Sequence, residues 1–310
     1  MSFEKIHKLF LSNRLLLFTI VIAFVAVRLY SEYSHWDNLS LWGSLLVQIV
    51  IAFSLLKIND TFNIIQIRTF LPVIFYLLFT GINPVFYYDL KGSIAAFCFV
   101  LCYHCLFVSY QKPESQINAL NISLLLVLGS LLWSPLLFLF PVFWRGFHHF
   151  QCFNTRMFFA NLTGFVIVYL FIFSLSIFQG DANIFFTLLP KPDILLVFQK
   201  PDFTTLEWLV LGCLLITFLI IGLYLYIIDI SERVWSITTL KYFYFTAFVS
   251  LIFLFVQSEY KSTWGLIAYI PISFLCGHAF SRLNKRGIQY LLLLLFLFFF
   301  GIGIAQHIGT

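Results

Sequence analysis

Long apolar runs separated by short charged stretches recur along the whole chain. They fall at about 14 to 30, 41 to 57, 67 to 83, 92 to 110, 119 to 133, 135 to 149, 157 to 178, 207 to 229, 242 to 257, 264 to 281 and 287 to 307. A run of this kind has no water to satisfy its peptide groups when it lies in lipid, so each must close its hydrogen bonds internally, as a helix, or join a closed barrel. Strand-like alternation of polar and apolar residues is absent, which leaves helices. Composition agrees, since 61% of the residues are hydrophobic, 20% aromatic and only 10% charged, far from the balance of a soluble domain. The expected fold class is therefore all-α: a polytopic integral membrane helical bundle of about 11 transmembrane helices, including a short hairpin at 119 to 149. Several runs are shorter than the ~20 residues of a perpendicular span, so tilt or local thinning is expected for them.

The stretch from Asn118 to Arg156 decides the orientation of everything after it. Its apolar run from Ile122 to Phe143 is long enough for one crossing, yet Trp133-Ser134-Pro135 interrupts it, and proline both lacks an amide proton and biases its predecessor away from helix. Basic residues arbitrate, because cytoplasmic loops carry an excess of Lys and Arg. With the amino terminus inside and two crossings here, only Arg28, Lys91, Lys191, Lys200 and Lys261 fall outside, leaving 13 of the 18 basic residues inside. With a single crossing the distribution collapses to nine against nine. The expectation is therefore a hairpin turning at Pro135, with Trp133 and Trp144 at the interfaces, a cytoplasmic amino terminus and a periplasmic carboxyl terminus.

No Gly-, Ser- or Pro-rich linker and no internal repeat divides the chain, so residues 1 to 310 are expected to form a single membrane domain. Within it, 179 to 206 reads as an outer interfacial loop, its two short apolar segments separated by Pro190-Lys191-Pro192-Asp193. No small-residue cleavage pattern follows Tyr30, so the first helix is expected to stay attached. The net charge of +5 comes from scattered loop residues, which excludes a nucleic-acid-binding face and leaves membrane lipids as partners. The six cysteines lie mostly in apolar runs and are expected to be free thiols packed as small hydrophobes. No cofactor is expected and no metal site either: Cys98, Cys102 and Cys105 share one helical face, but His104 is rotated off it.

Walker A, Gly-x-Ser-x-Gly and His-Glu-x-x-His patterns are absent, so nucleotide hydrolysis and common soluble hydrolase chemistries lack their parts. Ionisable residues deep within the runs are scarce, with Gln48 and Asn161 among the few polar positions, which argues against an ion-coupled carrier. Candidate chemistry gathers instead in Arg28-Leu-Tyr-Ser-Glu32-Tyr-Ser-His35-Trp-Asp37, at the outer end of the first helix. One reading pairs Arg28 with Glu32 four residues on, letting a cation approach the membrane boundary at reduced cost. The other makes Glu32 or Asp37 a general base, with Arg28 and His35 binding substrate.

The hairpin LGSLLWSPLLFLFPVFW followed by FNTRMFFANLTGFVIVYLF resembles a family of polytopic membrane proteins of Bacteroidota bacteria, over roughly residues 10 to 175. That family in turn resembles the GT-C membrane glycosyltransferases, which use polyprenyl-phosphate-linked sugars and show a helical hairpin turning at a proline after an acidic first outer loop. The resemblance implies an inner-membrane protein of cell-envelope biogenesis that handles a polyprenyl- or lipid-linked substrate, such as a lipid-linked sugar, at the outer face. Glu32 and Asp37 would then take the catalytic-loop positions and Arg28 would bind phosphate. This chain departs from the pattern in having isolated acids instead of an adjacent pair. The alternative from the residues alone is a non-catalytic scaffold or subunit, its aromatic-rich helices packed against another membrane protein.

Overall fold

A computed structural model describes residues 14–31, 37–66, 69–112, 114–179, 203–228 and 233–282, together with residue 301. Among these residues all regular structure is helical. In order the helices are α1 (Arg14–Ser31), α2 (Leu39–Phe62), α3 (Leu71–Ile82), α4 (Leu90–Val108), α5 (Gln116–Leu132), α6 (Phe140–His149), α7 (Thr155–Phe178), α8 (Thr205–Ile228), α9 (Val234–Val256) and α10 (Lys261–Arg282). Short 3-10 turns occupy Pro84–Phe86, Ser134–Leu139 and Ser258–Tyr260. Each of the first ten predicted runs thus holds a helix, and the eleventh, 287 to 307, lies outside the described residues. Among the described residues five helices are long and apolar enough to cross a membrane, α2, α4, α7, α9 and the stretch Ser258–Ser281, and four apolar ones are shorter.

Helix boundaries follow local chemistry. Asn38 caps α2 by accepting from the Ser40 amide at 3.0 Å, and α2 ends where Asn63 turns left-handed at φ 49. Asn154 caps α7 through the Met157 amide at 2.8 Å. Helix α9 starts at Val234, eight residues before the predicted 242, and carries Lys241 on its exposed side. A lysine in an early turn reaches water along its own stem, so it did not have to mark the helix start.

The described helices fall into two compact units, residues 1 to 90 with 199 to 310, and residues 91 to 198. In the first, α10 is almost wholly buried and packs on α9 and α3. Its close approach to α3 depends on Gly277, where a Cβ would stand 3.0 Å from the Pro72 ring and 3.1 Å from its backbone nitrogen. One end of this unit gathers Arg28, Asp89, Glu207, Glu259 and Lys261, and its two cations are among those that the basic-residue count assigns to the outer side. The opposite end holds the close of α2 and the start of α9, tied by the Trp235 indole donating to the Phe62 carbonyl at 2.9 Å.

The second unit contains the hairpin. Helix α5 ends at Leu132, Trp133 is extended at φ −147 and ψ 93, and Pro135 is the second residue of the 3-10 turn that leads into α6. Seventeen residues of α5 rise about 25 Å, and six 3-10 residues followed by ten helical ones return about 27 Å. The chain therefore comes back to the level at which it left. The closing contacts agree: the Gln111 amide donates to the Phe150 carbonyl at 3.2 Å, and Asn161 of α7 donates to Ala119 of α5 at 2.9 Å while accepting from Trp144 of α6 at 3.2 Å. Val127, Val168 and Ile172 form the apolar seam between α5 and α7. Trp133 is buried within the protein and so does not face an interface as the sequence suggested, and the half-buried Trp144 gives its indole N–H to Asn161. Hairpin packing fixes the Trp133 ring.

Candidate functional site

The first unit's charged end is built around a seven-residue segment, Asn83-Pro84-Val85-Phe86-Tyr87-Tyr88-Asp89. Asn83 ends α3 and accepts from the Val85 amide at 3.0 Å, so its side chain caps the 3-10 turn that Pro84 begins. The turn is gripped from the α2 side by Gln48, which donates to the Phe86 carbonyl at 3.0 Å, and by Ser44, which donates to the Tyr87 carbonyl. It is gripped from the α10 side by Asp89, whose Oδ2 accepts from both Ser262 and Thr263 at 2.7 Å. Tyr87 closes back on α3 through its hydroxyl, 2.7 Å from the Gly81 carbonyl.

Beside this segment lies a cavity of about 40 Å³, room for roughly three waters. Asn83, Glu207, Lys261 and Ser262 supply its polar groups, while Phe86, Val210, Leu214, Leu251 and Leu254 are among its apolar walls and Tyr269 stands among them. Glu207 is held by two devices at once. With Thr204 it forms a reciprocal capping box, its Oε2 accepting from the Thr204 amide at 2.8 Å and its own amide donating to Thr204 Oγ1 at 3.3 Å. Lys261 then donates to Oε1 at 2.8 Å and to Oε2 at 2.9 Å, with its ammonium 5.7 Å from the Phe203 ring. The carboxylate end of the pair is buried and the ammonium end is partly exposed, so the cation is the wetter partner. The rim thus sets a partly buried ion pair and two further hydrogen-bonding side chains, Asn83 and Ser262, against an apolar wall.

Of the residues singled out in the sequence, Arg28 is fully buried at the same end. It donates to Gln48 Oε1 at 2.7 Å, to Ser44 Oγ and to the Tyr87 carbonyl at 2.6 Å, and lies 4.5 Å from the Tyr87 ring centroid. Asp37 is exposed, one residue before the α2 cap. Glu32 and His35 lie outside the described residues, as does most of the loop from 179 to 206. Gln48 and Asn161 are both buried and both tie helices together. Sequence reasoning missed the cavity residues Asn83, Glu207, Lys261, Ser262 and Tyr269. Two signals pointed to them: the Asn-Pro turn pattern ending in Asp89, and Thr204-x-x-Glu207 directly ahead of an apolar run.

The cysteine face of α4 packs against α5. Cys98 lies beside Gly129, where a Cβ would come within 3.2 Å of the Cys98 Cβ, and Cys102 Sγ is 3.7 Å from the Ile122 carbonyl. Cys102 and Cys105 have C-x-x-C spacing but sit in mid-helix, away from the helix N-terminus that activates redox thiols. All six cysteines are free thiols, and no cluster of three metal-ligating side chains occurs among the described residues. His148 is exposed and stacked on Phe153 with centroids 4.1 Å apart, and His278 is buried in α10. Comparison with protein-family models, with curated proteins and with solved structures finds no match.

Proposed function

We propose that the chain is a multi-pass protein of a bacterial inner membrane, amino terminus cytoplasmic and carboxyl terminus periplasmic, that handles a lipid-linked substrate of cell-envelope assembly at its outer face. One observation carries the reading: polar groups of Asn83, Glu207, Lys261 and Ser262 border an apolar wall at the charged end of the first unit. Polar and charged groups at the edge of an apolar surface are what supports a ligand with a polar head and a long hydrocarbon chain. A group transfer at this mouth, of the kind GT-C glycosyltransferases perform, would draw its base from carboxylates at the same end. The sequence reading offers Glu32 or Asp37, and Asp89, one hydrogen bond from Ser262, joins them.

The test uses the full chain in lipid nanodiscs with a diazirine-bearing polyprenyl phosphate and its neutral polyprenol counterpart. Labelled peptides are expected within 203 to 214 and 251 to 269. Labelling confined to the outward side of α7, where Phe159, Leu170 and Phe171 are exposed, would reject the reading. The second reading, a non-catalytic scaffold or subunit of a larger membrane complex, draws its support from that same side of α7, which a partner helix would cover as well as lipid would.

A further inference from the structure

The cavity wall from Asn83 to Phe86 is a single 3-10 turn, too short to hold its own shape. What holds it is a buried cation on a different helix. Arg28 and Gln48 form one network: Arg28 donates to Gln48 Oε1 at 2.7 Å and to the Tyr87 carbonyl at 2.6 Å, and Gln48 spends its amide N-H on the Phe86 carbonyl at 3.0 Å. The two successive peptide groups that follow Phe86 and Tyr87 are thereby aimed, and the first of them fixes the backbone from which the Phe86 side chain projects. That ring packs edge-on to Tyr269, with centroids 5.5 Å apart, and against Gly265, where a Cβ would stand 2.9 Å from Phe86 Cε1. Gly265 is therefore required for Phe86 to lie this close to α10, and both rings border the cavity. Asp89 pins the far end of the segment through Ser262 and Thr263.

A charge buried in an apolar bundle is retained only where it is hydrogen-bonded, and here its donors go to groups that shape the wall. We infer that Arg28 is a positioning residue of the cavity, acting through Gln48 and the carbonyls of Phe86 and Tyr87, and that it does not touch the lipid head. This rests on the lipid-handling reading above. It replaces the phosphate-binding role implied by the resemblance with one that the hydrogen bonds describe.

The distinguishing variant is Gln48→Glu. It keeps an acceptor for Arg28 and removes the donor to Phe86, so the clamp is cut while the cation stays paired. Apparent affinity is read from photolabelling yield against probe concentration, on folded, monodisperse full chain in nanodiscs. The variant is expected to weaken both the polyprenyl phosphate and the polyprenol by the same factor, about tenfold for one lost hydrogen bond and a displaced wall. Arg28→Lys, which keeps the charge without the fork of donors, should fall between parent and Gln48→Glu. Loss confined to the phosphate probe would make Arg28 a head-group contact and overturn the inference, and so would unchanged affinity in Gln48→Glu. A lipid-free measurement separates this from the functional reading: with 4-fluorophenylalanine at position 86, the ¹⁹F resonance should move in Gln48→Glu. A parent protein that labels with neither probe ends the lipid reading, while an unmoved resonance ends the positioning role by itself.

Discussion

Replacing Gly164 with alanine tests how closely α5 and α7 must approach for the hairpin to seat. A methyl group there would meet Ser123 Oγ at 2.0 Å, the Leu120 carbonyl oxygen at 2.9 Å and Ser123 Cβ at 3.2 Å. The hydroxyl can rotate away only by giving up its 2.8 Å bond to that same carbonyl, a cost of about 1 kcal/mol. The carbonyl is backbone and cannot rotate, so ordinary contact requires the helices to part by about half an ångström, and overpacking of this kind costs about 1–3 kcal/mol. The combined destabilisation is about 3 kcal/mol. Asn161 lies one turn away on the same face of α7, so the separation also strains its 2.9 Å bond to Ala119. The assay is reversible unfolding in mixed detergent micelles, with Ser123→Ala completing a double-mutant cycle. Removing the hydroxyl should recover about 1 kcal/mol of the loss, because one of the two obstacles is gone and the carbonyl remains. A Gly164→Ala protein within about 0.5 kcal/mol of the parent, or two effects that simply add, would refute the contact as described.

Three further outcomes are expected. In a cysteine-free background, an impermeant maleimide applied to intact cells should label a cysteine replacing Asp37 and spare one replacing Arg233, both exposed positions; the opposite pattern would invert the proposed orientation. Asn161→Leu leaves the Trp144 indole and the Ala119 carbonyl without their partner and should lower unfolding stability by about 2 kcal/mol, part of which Trp144→Phe restores; equal stability of all three proteins would show the bridge to be dispensable. Burial pushes the Cys152 thiol up to about 11, so its alkylation should stay slow at pH 8, where a cysteine replacing the exposed Gln151 reacts readily. Because the thiol is neutral in the folded state and ionises sooner in the unfolded chain, its contribution to stability is full below the ordinary thiol range and falls as pH rises above it.

The helices themselves were legible in the chain because their signal is local. Each described helix coincides with an apolar run, the hairpin breaks within Trp133-Ser134-Pro135 as the sequence suggested, and Asn38 and Asn154 stand where caps were chemically possible. Backbone hydrogen bonding in lipid leaves an apolar stretch little choice but to be a helix. The partners of the polar residues were not legible. Arg28 meets Ser44, Gln48 and Tyr87 across separations of 16, 20 and 59 residues, Glu207 meets Lys261 across 54, and Asp89 meets Ser262 across 173. In helices that are apolar all round, periodicity marks no inward side, so which way a lone polar residue points depends on how neighbours rotate and pack. Arg28 stands near a helix end, where the sequence offered it Glu32 or a substrate as partner; the fold buries it against Gln48, Ser44 and the Tyr87 carbonyl. The sequence alone determined that this chain is a bundle of apolar helices with a returning pair in the middle. Tertiary packing alone decided that the charges at one end of it build a cavity.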